Sequence, residues 1–210
     1  METRTKFNQM SPSDRYQQLL DAMAGGRCVG TKDAARMGIS RGRLSKWVKA
    51  GKVRRVARGV YHSPEAVPDD LEILFKLAPD AVLSHESALY LLRLSERCPV
   101  RHSITLPTGT NPPRAFAGLM KAYYVKTAWL GAGRTRARTR TPTGFEVPCY
   151  DAERTICDLL RSRGRIDEET LNDAIRRYAA WPGKDLNRLA ERARLLRVGR
   201  VLRERMGAWL

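Results

Sequence analysis

The sequence predicts an α+β protein of two units: a helical unit carrying a strand ribbon over residues 1–66, then a mixed α/β unit over 67–210 that ends in helices. Three observations carry that expectation. Capped runs with apolar residues at spacings of three and four fill the first fifty residues and return after Asp151. A ribbon pattern with a glycine-containing turn follows the first of these runs. A proline-bearing linker, Ser63-Pro64-Glu65-Ala66-Val67-Pro68, then separates the two patterns. A chain of 210 residues suits one full domain and a smaller companion.

The first helix opens at Ser11-Pro12-Ser13-Asp14, where Ser11 can cap, Pro12 suits the first helical position and Asp14 sits where a capping box needs a carboxylate. Tyr16, Leu19, Leu20 and Met23 then share a face, and Gly25-Gly26 ends the helix. Thr31 is the expected cap of a short second helix through Met37, with small Ala34 and Ala35 allowing a close neighbour. Gly38-Ile39-Ser40 is a turn. Ser40 caps a third helix from Arg41 to Ala50, whose Leu44, Trp47 and Val48 point inward while Gly42, Ser45, Lys46 and Lys49 point out and Arg43 sits at the edge of the outer face. Lys52 to Ala57 and Val60 to His62 form the ribbon around Arg58-Gly59.

Beyond the linker the pattern gives a helix from Asp69 to Leu77, a buried strand at Ala81-Val82-Leu83 and a helix capped by Ser84 and running to Leu92. Ser103 to Leu106 and Phe145 to Tyr150 read as strands. Asp151 caps a helix with Ile156, Leu159 and Leu160 inward, and further helices span Asp167 to Tyr178 and Asp185 to Met206. Arg134, Arg136, Arg138 and Arg140 alternate with other residues, so a strand would put all four guanidinium groups on one side; a solvated loop is the other reading.

The charge is uneven. The chain carries 39 Lys and Arg against 22 Asp and Glu, a net of +17, and so calls for a polyanionic partner. From Arg27 to Arg58 eleven basic residues face one acidic residue, Asp33, a net of +10 that holds more than half of the excess. An ordinary solvated helix face would mix its signs, and this one repels itself unless phosphates neutralise it.

Small Ala34, then Gly38 four residues on, then Leu44 and Trp47 is the spacing of a helix-turn-helix, and the following ribbon makes it winged. Arg41, Arg43, Ser45 and Lys46 on the third helix are the candidates for base edges in a major groove. Thr31, Lys32, Lys49, Arg54, Arg55 and Arg58 are the candidates for phosphates, and the strip from Arg134 to Arg140 is a possible secondary basic surface.

Gly38-Ile39-Ser40 with Leu44, Arg58-Gly59-Val60-Tyr61, Ser84-His85-Glu86-Ser87-Ala88-Leu89, Thr105-Leu106-Pro107 and Glu153-Arg154-Thr155-Ile156-Cys157-Asp158-Leu159-Leu160 occur in an order that resembles the AbiEi family, the antitoxins of bacterial type IV toxin-antitoxin systems. The resemblance runs from about Gly30 to about Leu160. It implies a transcriptional autorepressor that binds inverted repeats in its own promoter and counteracts a nucleotidyltransferase-like toxin without having to bind it. It also implies a monomer or weak dimer in solution that pairs on double-stranded DNA, since operator symmetry mirrors protein symmetry. A stand-alone winged-helix transcription factor is the alternative.

A DNA-processing nuclease shares this composition, but the sequence has no Glu-x-Lys tripeptide or Asp-x-Asp pair to hold a catalytic metal. His85-Glu86 lacks the second histidine of a zinc protease and is read as chemistry of a helix start, so no catalytic residue, metal or cofactor is expected. Cys28, Cys98, Cys149 and Cys157, like His62, His85 and His102, are too scattered for metal-ligand pairs. An RNA-binding protein would cluster aromatics on a sheet face, whereas Trp47, alone in the basic stretch, points inward. The start METRTKFNQM has no apolar stretch of a signal peptide and no long apolar run follows, so a cytoplasmic location with no membrane partner is expected.

Overall fold

The computed structural model describes residues 11–138 and 144–207. It is a mixed α and β structure divided into two compact units, Met1–Pro79 with Thr141–Phe145, and Asp80–Arg140 with Glu146–Leu210.

In the first unit α1 (Pro12–Met23) is capped at Ser11, whose hydroxyl accepts from the Asp14 amide while Asp14 accepts from the Ser11 amide. The two-residue strand β1 (Val29–Gly30) leads into α2 (Thr31–Arg36). The cap there differs from the expected one. Gly30 takes the cap position and its amide donates to Asp33 Oδ2 at 3.2 Å, which leaves the Thr31 side chain for another task. Gly38, at φ +71°, turns the chain into α3 (Arg41–Lys49), capped by the Ser40 hydroxyl on the Arg43 amide.

The strands β2 (Arg54–Ala57) and β3 (Val60–His62) form the expected hairpin, with a bulge between Arg55 and Ala57. β1 adds to β3 on its other side, giving an antiparallel sheet of order β1-β3-β2. Leu19, Met23, Ala34, Ile39, Leu44, Val53 and Tyr61 meet in one apolar core, against which the partly buried Trp47 and Val48 pack.

The helix α4 (Asp70–Leu77) belongs to this unit, so the unit extends past the expected boundary at residues 66/67 to Pro79. Its buried Glu72 accepts from the Cys28 amide at 3.0 Å and from Arg27 Nε at 3.0 Å, and Lys76 meets Asp33 at 2.6 Å. A proline-bearing segment does not separate units when the next helix is tied back to the same unit, here through Glu72 and Lys76.

The second unit is built on a five-stranded sheet containing β4 (Val82–Leu83), β5 (His102–Pro107), β6 (Met120–Val125), β7 (Arg134–Arg138) and β8 (Glu146–Tyr150), in the order β6-β5-β4-β8-β7. β5 pairs parallel to β6 and β4 parallel to β8, and the other two pairings are antiparallel. Helices α5 (His85–Leu91), α6 (Thr127–Leu130), α7 (Ala152–Arg161), α8 (Glu168–Ala180), α9 (Leu186–Leu195) and α10 (Gly199–Met206) complete it.

α7 is central: Ile156, Leu159 and Leu160 are fully buried among Leu171, Ile175, Leu189 and Met206. Several of its polar side chains are enclosed too, most of them with partners, although Arg154 Nη2 and Thr155 Oγ1 are buried without one. Glu153 Oε1 accepts from the Tyr178 hydroxyl at 3.1 Å and the Asp185 amide at 3.0 Å, and Arg154 pairs with Asp158 at 3.0 Å.

Candidate nucleic-acid interface

At 100° per residue, Gly42, Ser45, Lys46 and Lys49 fall within one narrow sector of α3, opposite buried Leu44. All four are exposed. Arg41 and Arg43 flank that sector on opposite sides; Arg41 is exposed, while Arg43 is partly buried with its Nη1 enclosed and lacking a hydrogen-bond partner. The helix therefore gathers Ser45, Lys46 and Lys49 on its outer face and sets the two arginines at the margins.

On the hairpin Arg54, Arg55 and Arg58 are exposed. Arg54 reaches the Ala66 carbonyl at 3.4 Å and Arg55 Nε the Ala57 carbonyl at 3.4 Å, so both guanidinium groups keep most of their donors open. The turn is braced from α2. Gly59, at φ +75°, has its carbonyl accepting both the Thr31 amide at 2.8 Å and the Thr31 hydroxyl at 3.1 Å. Thr31, a phosphate candidate, is thus occupied within the fold, whereas Lys32 beside it is exposed.

Among the described residues, the ion pairs of this unit engage a different set of cations. Arg27 pairs with Glu72, and Arg36 and Lys76 share Asp33. Among the described residues Lys32, Arg41, Arg43, Lys46, Lys49, Arg54, Arg55 and Arg58 make no ion pair within 4.0 Å, and nor does Lys52, whose Nζ lies 5.4 Å over the Tyr16 ring. Lys52 carries the same signal as its neighbours, a place in the basic run, and was missing from the candidates.

The Arg134 strip is a strand rather than a loop as far as Arg138. Arg134 and Arg136 are exposed on β7, and Arg136 is held by Glu146 at 3.1 Å. Arg138 takes the register position opposite Glu146, and Arg140 lies outside the described residues.

Residues 17–64 match a family model described as transcriptional regulator, AbiEi antitoxin. The AbiEi match starts inside α1 and ends just past β3, so it contains every residue of the basic run from Arg27 to Arg58. Among solved structures, the RV2827C protein from Mycobacterium tuberculosis is similar in fold, with a TM-score of 0.52 at 16% sequence identity over 89% of this chain and 77% of that one. No curated protein gives a significant match. Among the described residues no helix is long and apolar enough to cross a membrane, and no group of three His, Cys, Asp or Glu residues is placed to hold a metal ion.

Outside the AbiEi match, His85 is buried with a left-handed backbone, φ +48°, and stacks on Tyr123 at 3.4 Å. It does more than start a helix. Its surroundings bring together Ser84, Thr105, Asp158, Ser162 and Arg165, none of which the sequence singled out as a site. Burial first, then the positive charges of Lys121, Arg165, Arg154 and Arg161, holds the imidazole well below its ordinary pKa.

Proposed function

We propose that the first unit is a winged helix-turn-helix that inserts α3 into the major groove of duplex DNA, and that the chain is a transcriptional autorepressor acting as the antitoxin of a type IV toxin-antitoxin system. The observation that carries the DNA reading is the run of exposed, unpaired cations on α3 and the hairpin, inside the segment that matches transcriptional regulators. Phosphates are the partner that removes their mutual repulsion. Ser45 and Lys46 face base edges with Arg41 and Arg43 at the sides, and Lys32, Lys49, Arg54, Arg55 and Arg58 take the backbone.

The antitoxin part rests on the description of the matching family and on the order of motifs in the sequence. Counteraction of a nucleotidyltransferase-type toxin without obligatory contact, the pairing of two copies on an inverted repeat, and the absence of enzymatic activity belong to the same proposal. A stand-alone regulator is the second reading, favoured by the match stopping at residue 64. Co-expression with the product of the adjacent gene separates the two: rescue of growth by this chain supports the antitoxin role, and growth arrest that it does not relieve removes it.

The DNA reading is tested by titrating promoter and scrambled duplexes with variants. Arg43→Ala and Lys46→Ala weaken the cognate duplex by about 1–3 kcal/mol and relax sequence preference. Arg55→Ala weakens both duplexes alike. If the three variants leave the ratio of cognate to scrambled affinity equally unchanged, α3 does not read bases.

A further inference from the structure

The second unit contains a cavity of about 360 Å³ between the start of α5, the strands β5 and β6 and the end of α7. Its size falls in the range of small-ligand sites, about 300–1,000 Å³. A directed chain of hydroxyls and imidazole forms one wall. Thr105 Oγ1 donates to Ser84 Oγ at 2.9 Å, Ser84 Oγ lies 2.9 Å from His85 Nδ1, and His85 Nε2 lies 3.0 Å from Ser162 Oγ.

Proton counting sets the direction of that chain. Ser84 Oγ meets only Thr105 Oγ1 and His85 Nδ1 among the described residues, so with Thr105 donating to it Nδ1 is the acceptor that satisfies its own proton, and the neutral ring then keeps its Nε2–H for Ser162. Ser162 Oγ is therefore an acceptor, and its own proton is free for a third group. No base removes that proton, so the arrangement suits binding rather than nucleophilic attack.

The charges select what binds. Asp158, the carboxylate in the wall, is buried and held by Arg154 at 3.0 Å, and nearby Glu86 is held by Lys121 at 2.9 Å and Ser103 at 2.8 Å. Arg161 and Arg165 line the same cavity, are exposed, and make no ion pair among the described residues. Arg165 is also fixed in place. Its guanidinium lies 4.4 Å over the Tyr123 ring, whose stacking against His85 holds the ring in turn, and it donates to the Ala122 carbonyl at 3.3 Å. Left-handed backbone at His85 is strain of the kind that a surrounding structure holds at ligand sites.

We infer that this cavity binds the phosphate of a nucleotide, with Arg161 and Arg165 taking phosphoryl oxygens and Ser162 donating to another. The same chemistry is offered by a free nucleotide and by the phosphorylated end of a single strand. It depends on no property of the first unit.

Isothermal titration of the full chain with AMP, adenosine and a 5′-phosphorylated RNA hexamer in 0.15 M NaCl tests it. Saturable one-to-one binding of AMP and none of adenosine is expected. Arg161→Gln and Arg165→Gln each weaken AMP by about tenfold, Ser162→Ala by a smaller factor, and Arg55→Gln leaves AMP unchanged. All these positions except Ser162 are exposed, so the arginine variants keep the fold. Competition of the hexamer with AMP assigns the site to strand ends, and AMP binding without competition assigns it to free nucleotides. Adenosine binding as tightly as AMP, AMP binding that survives both arginine substitutions, or no binding of AMP or hexamer sensitive to those substitutions overturns the inference. Duplex titration of the same variants reports on the first unit separately.

Discussion

His85 is the residue whose environment departs furthest from what its place in the chain suggests. It is buried, neutral and hydrogen-bonded through both nitrogens. Because its folded pKa is depressed below that of the unfolded chain, the unfolded state binds the proton more readily. The stability that His85 contributes is present above about pH 6.5 and is lost as the pH falls through the folded value. Asp158 runs the other way: burial outweighs Arg154 and pushes its carboxyl up to about 6, so its contribution is present at low pH and is lost as the pH rises through that value. Substituting His85→Asn, which tolerates the left-handed backbone, isolates the first effect. The stability gap between the parent and this variant should narrow on going from pH 7.5 to pH 5, by up to about 1.4 kcal/mol per pH unit. Denaturant titrations that give a constant gap over that range would show that the imidazole is not held neutral.

Among the elements, the hairpin depends on its brace to α2. A Cβ on Gly59 would sit 3.0 Å from the Thr31 hydroxyl, and its φ of +75° disfavours any other residue. Gly51 has a similar φ, +68°, but nothing within 4 Å. Gly51→Ala therefore costs the conformational penalty of about 1–2 kcal/mol alone, while Gly59→Ala costs more and loosens the two hydrogen bonds from Thr31. Urea midpoints for the two variants check the order, and equal losses would mean that the brace contributes nothing.

Legibility of the elements followed from how local their causes are. α1, α3 and α7 were readable because Ser11, Ser40 and Asp151 cap them within their own sequence. Thr31 misled because its hydroxyl is spent on Gly59, twenty-eight residues away, and Asp33 supplies the cap bond instead. β6 was missed because Tyr123 and Tyr124 are both aromatic while one is buried and the other exposed, so side-chain type hides the alternation. The cavity was illegible for a related reason. Ser84, Tyr123 and Ser162 converge only through the parallel pairing of β5 with β6 and the passage of α7 behind them, which no spacing along the chain encodes.

At the scale of the molecule, charge is the property with a measurable signature. If Lys32, Lys49, Arg54, Arg55 and Arg58 contact phosphates as proposed, the expected slope of log affinity against log salt is about −4.5 for one copy, and about twice that for two on an inverted repeat. Filter binding across salt concentrations distinguishes the two, and a slope near zero removes the phosphate contacts altogether. The basic surface was legible in composition, since Lys and Arg stay outside whatever the fold. The grouping of Ser45, Lys46 and Lys49 apart from the two flanking arginines needed the helix itself.

The five-stranded sheet terminates at β7, and that boundary is studded with Arg134 and Arg136. A bare rim of amide and carbonyl groups invites ribbon-like growth from molecule to molecule. Here two copies aligning rim to rim would bring their Arg134 guanidinium groups together, while Arg136 is already matched by Glu146, so propagation by strand annealing is expected to be disfavoured at its first step. A charge that the packing of the interior does not require would thus act against fibrous association in a crowded solution.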